Sequence, residues 1–226
     1  MSFTQECRKE ADSIWEESFQ HPFIQELTEG TLSFDQFRYY VLQDSYYLSQ
    51  FARVQSFAGA KAEDLETTNR LAAHAQGTYQ AELGLHETFA KELGITEEEK
   101  NVFQPSPTAY AYTSHLYRSA LLGDLGMIIA SLLPCYWLYY EIGQRFKGYT
   151  PGVAIYEEWI NTYGSEWFRS LVEEQINRLE QIAEESTPKQ RQAMKEAFLI
   201  SSQYELRFWE MAYTLESWNE KEKTTS

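Results

Sequence analysis

Three reactive side chains interrupt the apolar faces of three separate helical stretches: Asp44, Cys135 and Glu205. A helix advances about 100° per residue, so residues three, four and seven apart share a face. Phe37, Val41, Leu48 and Phe51 form one stripe, with Asp44 among them and Tyr47 one turn along. Met194, Phe198, Ser201, Phe208 and Ala212 form another, with Glu205 near its centre. Leu132, Tyr139 and Ile142 share a face with Cys135. An inward Asp is desolvated and needs a partner or a ligand donor. An inward Glu is either a structural carboxylate paired with an arginine or, because burial raises its pKa, a proton donor near neutral pH. A buried free cysteine is most often a small hydrophobe. Two features favour chemistry at Cys135. Pro134 should kink its helix and release a carbonyl one turn back, and Tyr136, Tyr139 and Tyr140 crowd the thiol with hydroxyls and ring faces. Cys7 lies on a charged amphipathic stretch without such support and reads as structural.

These groups must be held by helices. No segment alternates as a strand would, and Pro and Gly are sparse, 6 and 11 in 226 residues. Ser2 with Gln5, Ser33 with Gln36, Thr96 with Glu99 and Thr187 with Gln190 have capping-box spacing. Pro107 follows Ser106 as a helix-opening proline. Gly30, Gly94 and Gly148 stand where helices should end. The pattern predicts helices over roughly 3–19, 34–61, 64–93, 107–122, 125–147, 153–162, 166–185 and 188–216, with a turn around Pro22-Phe23. Short connections imply antiparallel packing in one all-α bundle spanning 1–218, with a flexible polar tail over 219–226.

Composition narrows the function classes. A formal net charge of -15 opposes binding to nucleic acid and to anionic membranes. The N-terminus lacks an apolar signal region, and IIASLLPCYWLYY is too short for a membrane span and contains a proline. The expected compartment is the cytoplasm, with both cysteines free. Glu82 and His86 share a helical face, but no second pair matches them, and His21, His74 and His115 have no neighbour at metal-ligand spacing. No metal and no cofactor are expected. Phosphate loops, dinucleotide fingerprints and nucleophile elbows are missing from the sequence.

Seven segments taken in order resemble the thiaminase II (TenA) family of aminopyrimidine aminohydrolases, the type with an active-site cysteine. They are LQDSYYL, HAQGTYQAE, SPTAYAYTSH, LLPCYWLYYE, TYGSEWF, VEEQINR and SSQYELRFW, and the likeness runs from about residue 3 to Trp218. The resemblance implies a haem-oxygenase-like helical bundle without haem, assembled as a homotetramer. It implies hydrolysis of 4-amino-5-aminomethyl-2-methylpyrimidine to the hydroxymethyl pyrimidine and ammonia, in thiamin salvage, with thiamin cleavage as a secondary activity. It also implies roles: Cys135 as nucleophile, Glu205 as proton donor to the ring, and Tyr47 as support for the thiolate. Asp44 would hold the ring's exocyclic amine, Tyr139 would face the ring, Tyr163 would hydrogen-bond to it, and Tyr112 would be a donor near the leaving group. Two positions depart from the family pattern. Ser165 stands where a second glycine is expected, and Gln203 replaces what is often an aromatic or basic residue. Two other classes remain as alternatives: a non-enzymatic aminopyrimidine-binding or regulatory protein, and a metal-dependent helical oxygenase.

Overall fold

The computed structural model describes residues 1–81 and 87–218. Among these every regular element is a helix: α1 Phe3–Glu10, α2 Asp12–Gln20, α3 Pro22–Glu29, α4 Phe34–Lys61, α5 Leu65–Ala81, α6 Glu87–Glu92, α7 Glu97–Val102, α8 Pro107–Leu122, α9 Leu125–Arg145, α10 Ala154–Tyr163, α11 Glu166–Glu185 and α12 Pro188–Thr214. The four capping boxes open α1, α4, α7 and α12 as their spacing requires. Ser106 caps α8 ahead of Pro107. Gly30 ends α3 in the left-handed conformation, with φ 77°. The Glu82 and His86 pair and the tail expected over 219–226 lie outside the described residues.

Three sequence-based boundaries change. The expected helix over 3–19 breaks at Ala11, whose ψ opens to -1°. Both halves pack against α12, and α1 also packs against α11. The expected turn at Pro22-Phe23 is instead the start of α3. His21 caps it by accepting from the Phe23 amide at 3.1 Å, and Pro22 fits the first turn because its missing N–H needs no partner there. The short helix α7 was not expected, although its capping box was visible.

Helix α9 is the central element. It packs against α12, α11, α8, α10 and α4. Its mean hydropathy of 1.3 over 18 residues makes it apolar and long enough to cross a membrane, contrary to the sequence reading of that stretch. Two thirds of that window is buried inside the bundle, so packing accounts for its apolar character. Pro134 does not end the helix, which continues through it to Arg145. One turn before Cys135, the Ser131 carbonyl accepts a hydrogen bond from the Ser201 hydroxyl of α12 at 2.7 Å. Ser201 is a polar member of a largely apolar stripe, and this bond satisfies it.

The α9–α10 contact sets the position of Tyr163. A Cβ at Gly143 would stand 2.5 Å from the Tyr163 carbonyl carbon and 2.4 Å from the Gly164 nitrogen. Only a hydrogen side chain allows that backbone approach. Gly143→Ala is therefore expected to cost about 1–3 kcal/mol through forced separation of α9 and α10. Thermal denaturation should show a lower Tm; an unchanged Tm would mean that the two backbones have room to separate.

Candidate active site

A cavity of about 390 Å³ opens beside α9 and is lined by α4, α5, α6, α9, α10 and the start of α11. Asp44, Cys135, Tyr139 and Tyr163 line it, four of the seven site residues expected from sequence. Val41, Leu48, Phe51 and Phe89 supply apolar wall, and Tyr40 and Trp159 supply aromatic wall. Tyr40, Asp44, Tyr139 and Trp159 are among its buried lining residues. The lining residues exposed to solvent, Arg70, Ala73, Gln80, Trp167 and Ser170, all belong to α5 and α11, so the mouth lies between those helices.

Tyr47, Tyr112 and Glu205 do not line the cavity. They are buried, with 3, 1 and 2% exposure, and form a layer behind it. The Tyr112 hydroxyl donates to Glu205 Oε1 at 2.5 Å. The Tyr47 and Tyr112 rings lie 4.8 Å apart, and Tyr204 stacks on the far side of Tyr112 at 5.2 Å. Tyr112, expected near a leaving group, is thus engaged by a carboxyl in the layer behind the wall. The helical wheel shows that Tyr112 points inward but not which helix it meets.

Electrostatics follow from this burial. Desolvation pushes the Glu205 pKa up to about 8; the Tyr112 hydrogen bond opposes the rise and the charge of Asp44 adds to it. No arginine is among the groups that shift it, so the reading of Glu205 as half of an ion pair falls away. The Cys135 thiol is raised well above its ordinary value, first by desolvation and then by the carboxylate charge of Glu205. Tyr47 acts on the same thiol in the opposite direction and favours the thiolate. Its hydroxyl is buried and makes no well-formed hydrogen bond to another side chain, which leaves it available to the sulfur. Cys7 is fully buried, and burial pushes its thiol up to about 12, in keeping with a structural role.

The aromatic wall is held by its own polar tips. Trp159 Nε1 donates to the Tyr40 hydroxyl at 3.2 Å, and Tyr40 donates to the Tyr139 hydroxyl at 3.5 Å. The Tyr139 and Tyr163 rings meet edge to face at 4.8 Å. The two departures from the family pattern leave these contacts in place. Ser165 caps α11 by accepting from the Phe168 amide and donates to the Thr162 carbonyl. Gln203 is exposed on α12. Sequence reasoning missed Tyr40 and Trp159; Trp159 shares the apolar stripe of α10 with Ile155, Tyr156 and Ile160, a pattern that signals core without signalling a cavity. It also left His74 alone, whereas His74 bonds to Tyr136 on the cavity wall. Among the described residues no group of three or more His, Cys, Asp or Glu could hold a metal ion.

A family model described as TENA/THI-4/PQQC matches residues 8–215. The chain belongs to that family. An aminopyrimidine aminohydrolase of Bacillus subtilis (strain 168) is 59% identical over 220 residues, 97% of this chain and 93% of its own. Another, from Halalkalibacterium halodurans, is 37% identical over 97% of this chain and 99% of its own. Among solved structures, a TenA homologue from P. horikoshii OT3 superposes with a TM-score of 0.85 at 31% identity, covering 95% of this chain and 99% of that one. A Shewanella denitrificans domain of haem-oxygenase-like fold superposes with a TM-score of 0.73 at 15% identity, covering 94 and 92%. The bundle therefore has the haem-oxygenase-like fold of the family.

Glu205 also makes stability depend on pH. Its folded pKa of about 8 lies above the ~4.3 of an unfolded glutamate. Between those values the folded chain holds a proton that the unfolded chain releases, so stability from this residue falls as pH rises through that window. Glu205→Gln removes the dependence. Its Tm should rise relative to the parent by roughly several degrees between pH 5 and pH 8. A Tm difference that stays constant with pH would mean that Glu205 folds as a carboxylate.

Proposed function

We propose that the chain is an aminopyrimidine aminohydrolase of thiamin salvage. It converts 4-amino-5-aminomethyl-2-methylpyrimidine and water to the hydroxymethyl pyrimidine and ammonia, and splits thiamin as a secondary activity. The observation that carries this reading is a thiol on the wall of a cavity rich in aromatic side chains, with a protonated carboxyl in the layer behind it and Asp44 lining the same cavity. The 59% identity with the Bacillus subtilis aminohydrolase agrees with it.

In this reaction Asp44 accepts from the exocyclic amine of the ring. Tyr139 faces the ring and Tyr163 hydrogen-bonds to it. Glu205, protonated below about pH 8, gives its proton to a ring nitrogen. The ring becomes electrophilic and Cys135 sulfur bonds to the electron-poor ring carbon. With only protein groups around it the thiol stays protonated at neutral pH, so its proton must leave as the sulfur attacks. The Glu205 carboxylate, having just given up its own proton, takes it. Tyr47 stabilises the developing negative charge on sulfur. The adduct expels the amine from the methylene carbon; water adds there, and its surplus proton leaves with the ammonia. Return of the ring proton through Glu205 to sulfur breaks the C–S bond and restores both groups. Tyr112 keeps Glu205 aligned by donating to Oε1.

The protein works as a homotetramer in the cytoplasm in this reading. Tyr110 and Leu121, which share a face of α8, and Trp218 are exposed and suit burial by neighbouring subunits.

Incubation with the aminomethyl pyrimidine, with product followed by chromatography, tests the reaction directly. Cys135→Ala should bind the substrate but lose turnover by about 10³-fold or more. Near-normal turnover in that variant would remove Cys135 as nucleophile, and binding without turnover by the parent chain would leave only a binding protein. Turnover by the parent should also fall as pH rises above about 8, as Glu205 loses its proton, whereas Glu205→Gln should be slow with no such limb. A limb that survives in Glu205→Gln belongs to another group.

A further inference from the structure

Helix α8 carries Tyr112 and α12 carries Glu205, so the hydrogen bond between them depends on how these two helices are held together. The helices run antiparallel. Ser106 at the start of α8 donates to Met211 Sδ near the end of α12, and His115 Nε2 further along α8 lies 3.3 Å from the Ala197 carbonyl. The start of α8 has a second tie. After α12 the chain turns at Leu215, whose φ of 54° and ψ of 52° are left-handed, a conformation that residues with a side chain rarely adopt. This turn brings Glu216 to the first turn of α8. Glu216 Oε2 accepts from the Thr108 amide at 2.8 Å, and Oε1 accepts from the Thr108 hydroxyl at 3.0 Å. The Glu216 carbonyl accepts from the Tyr39 hydroxyl of α4, and Trp218 Nε1 donates to the Pro105 carbonyl at 2.8 Å.

Helix geometry carries this clip to Tyr112. The first amides of a helix have no partner within it, and an acidic side chain there also meets the positive end of the helix dipole. The Ser106 hydroxyl takes the Ala109 amide at 3.2 Å, and Glu216 takes that of Thr108. The Thr108 carbonyl is in turn the partner of the amide four residues on, which is that of Tyr112. The two side chains stand one above the other on α8. Fraying of the first turn at Thr108 would therefore release the backbone bond beneath Tyr112.

We propose that Glu216 is a positioning residue: by clipping the start of α8 to the end of α12, it keeps the Tyr112 hydroxyl on Glu205. Glu216 touches no substrate and acts through Tyr112. Its effect on turnover rests on the proposed reaction; its effect on Glu205 does not. The Tyr112 bond opposes the upward shift that burial gives Glu205, so releasing Tyr112 should raise the pH at which Glu205 ionises.

The test follows the ionisation of Glu205 by carbon-13 NMR of the glutamate-labelled chain, its signal identified by its loss in Glu205→Gln. Glu216→Ala should move the midpoint up by about half a unit to one unit, the scale of one weakened hydrogen bond. Tyr112→Phe should move it the same way and at least as far, and the double variant no further than Tyr112→Phe alone. Glu216→Gln keeps an oxygen that accepts from Thr108 and should restore most of the parent midpoint. Thr108→Val deletes the hydroxyl contact, leaves the amide and should move the midpoint part of the way; it decides if Glu216→Ala does not fold. A lower Tm in Glu216→Ala with an unchanged midpoint would make the clip a source of stability only and overturn the inference. A downward shift, as from water reaching Glu205, or additive shifts in the double variant would also overturn it. The alkaline limb of turnover should move with the midpoint. A parent chain without turnover defeats the proposed reaction and leaves this inference standing on the NMR midpoint, which needs no turnover.

Discussion

A glutamic acid without a neighbouring cation, buried between α8, α9 and α12, is the constraint on which the site depends. An ionised carboxylate there would be costly, so Glu205 keeps its proton to about pH 8 and becomes an acid at neutral pH. The same low-dielectric surroundings hold the Cys135 thiol protonated. The two groups are therefore coupled: a charge on one raises the cost of charging the other. Two protons held side by side suit a reaction in which one moves to a ring nitrogen as the other leaves sulfur. Tyr112 and Tyr47 tune this pair without touching the cavity.

The aromatic content has two structural uses. Toward the core, rings pack edge to face and stacked, as with Trp15 against Phe198 and Phe23 against Trp209. Around the cavity, the Trp159–Tyr40–Tyr139 chain ties polar tips together, so the wall keeps its shape beside an open space. That wall is rigid because α9 and α10 meet backbone to backbone at Gly143 and Gly164. The mouth is built differently. Arg70 stands at the mouth and pairs with Glu174, which also pairs with Arg178, and His74 joins that ion cluster to Tyr136. Glu174 and Gln175 of α11 thus meet His74 of α5, while Gln55 of α4 holds the other side of the same hydroxyl.

Much of the fold was legible because helix ends carry local chemistry. The four capping boxes and Gly30 work within one turn, and their hydrogen bonds form as the spacing requires. The misread elements were those where local signals compete. Ala11 has no breaking residue beside it; α1 and α2 both pack on α12, and α1 also reaches α11. Pro22 reads equally as a turn or as a first helical residue, and the His21 cap decides for the helix.

The site divides along the same line. Periodicity alone determined that Asp44, Cys135 and Glu205 point inward, because a helix puts residues three and four apart on one face whatever lies opposite. Family resemblance then tied them to one reaction. Only the tertiary structure decided that Asp44 and Cys135 line the cavity while Glu205, Tyr47 and Tyr112 stand behind it. Only it joined His74 to Tyr136, 62 positions away. A helical wheel gives direction but not depth or partner, and both of those depend on how close neighbouring helices come. In this bundle that spacing is set by long-range contacts such as Gly143 against Gly164 and Ser201 against Ser131.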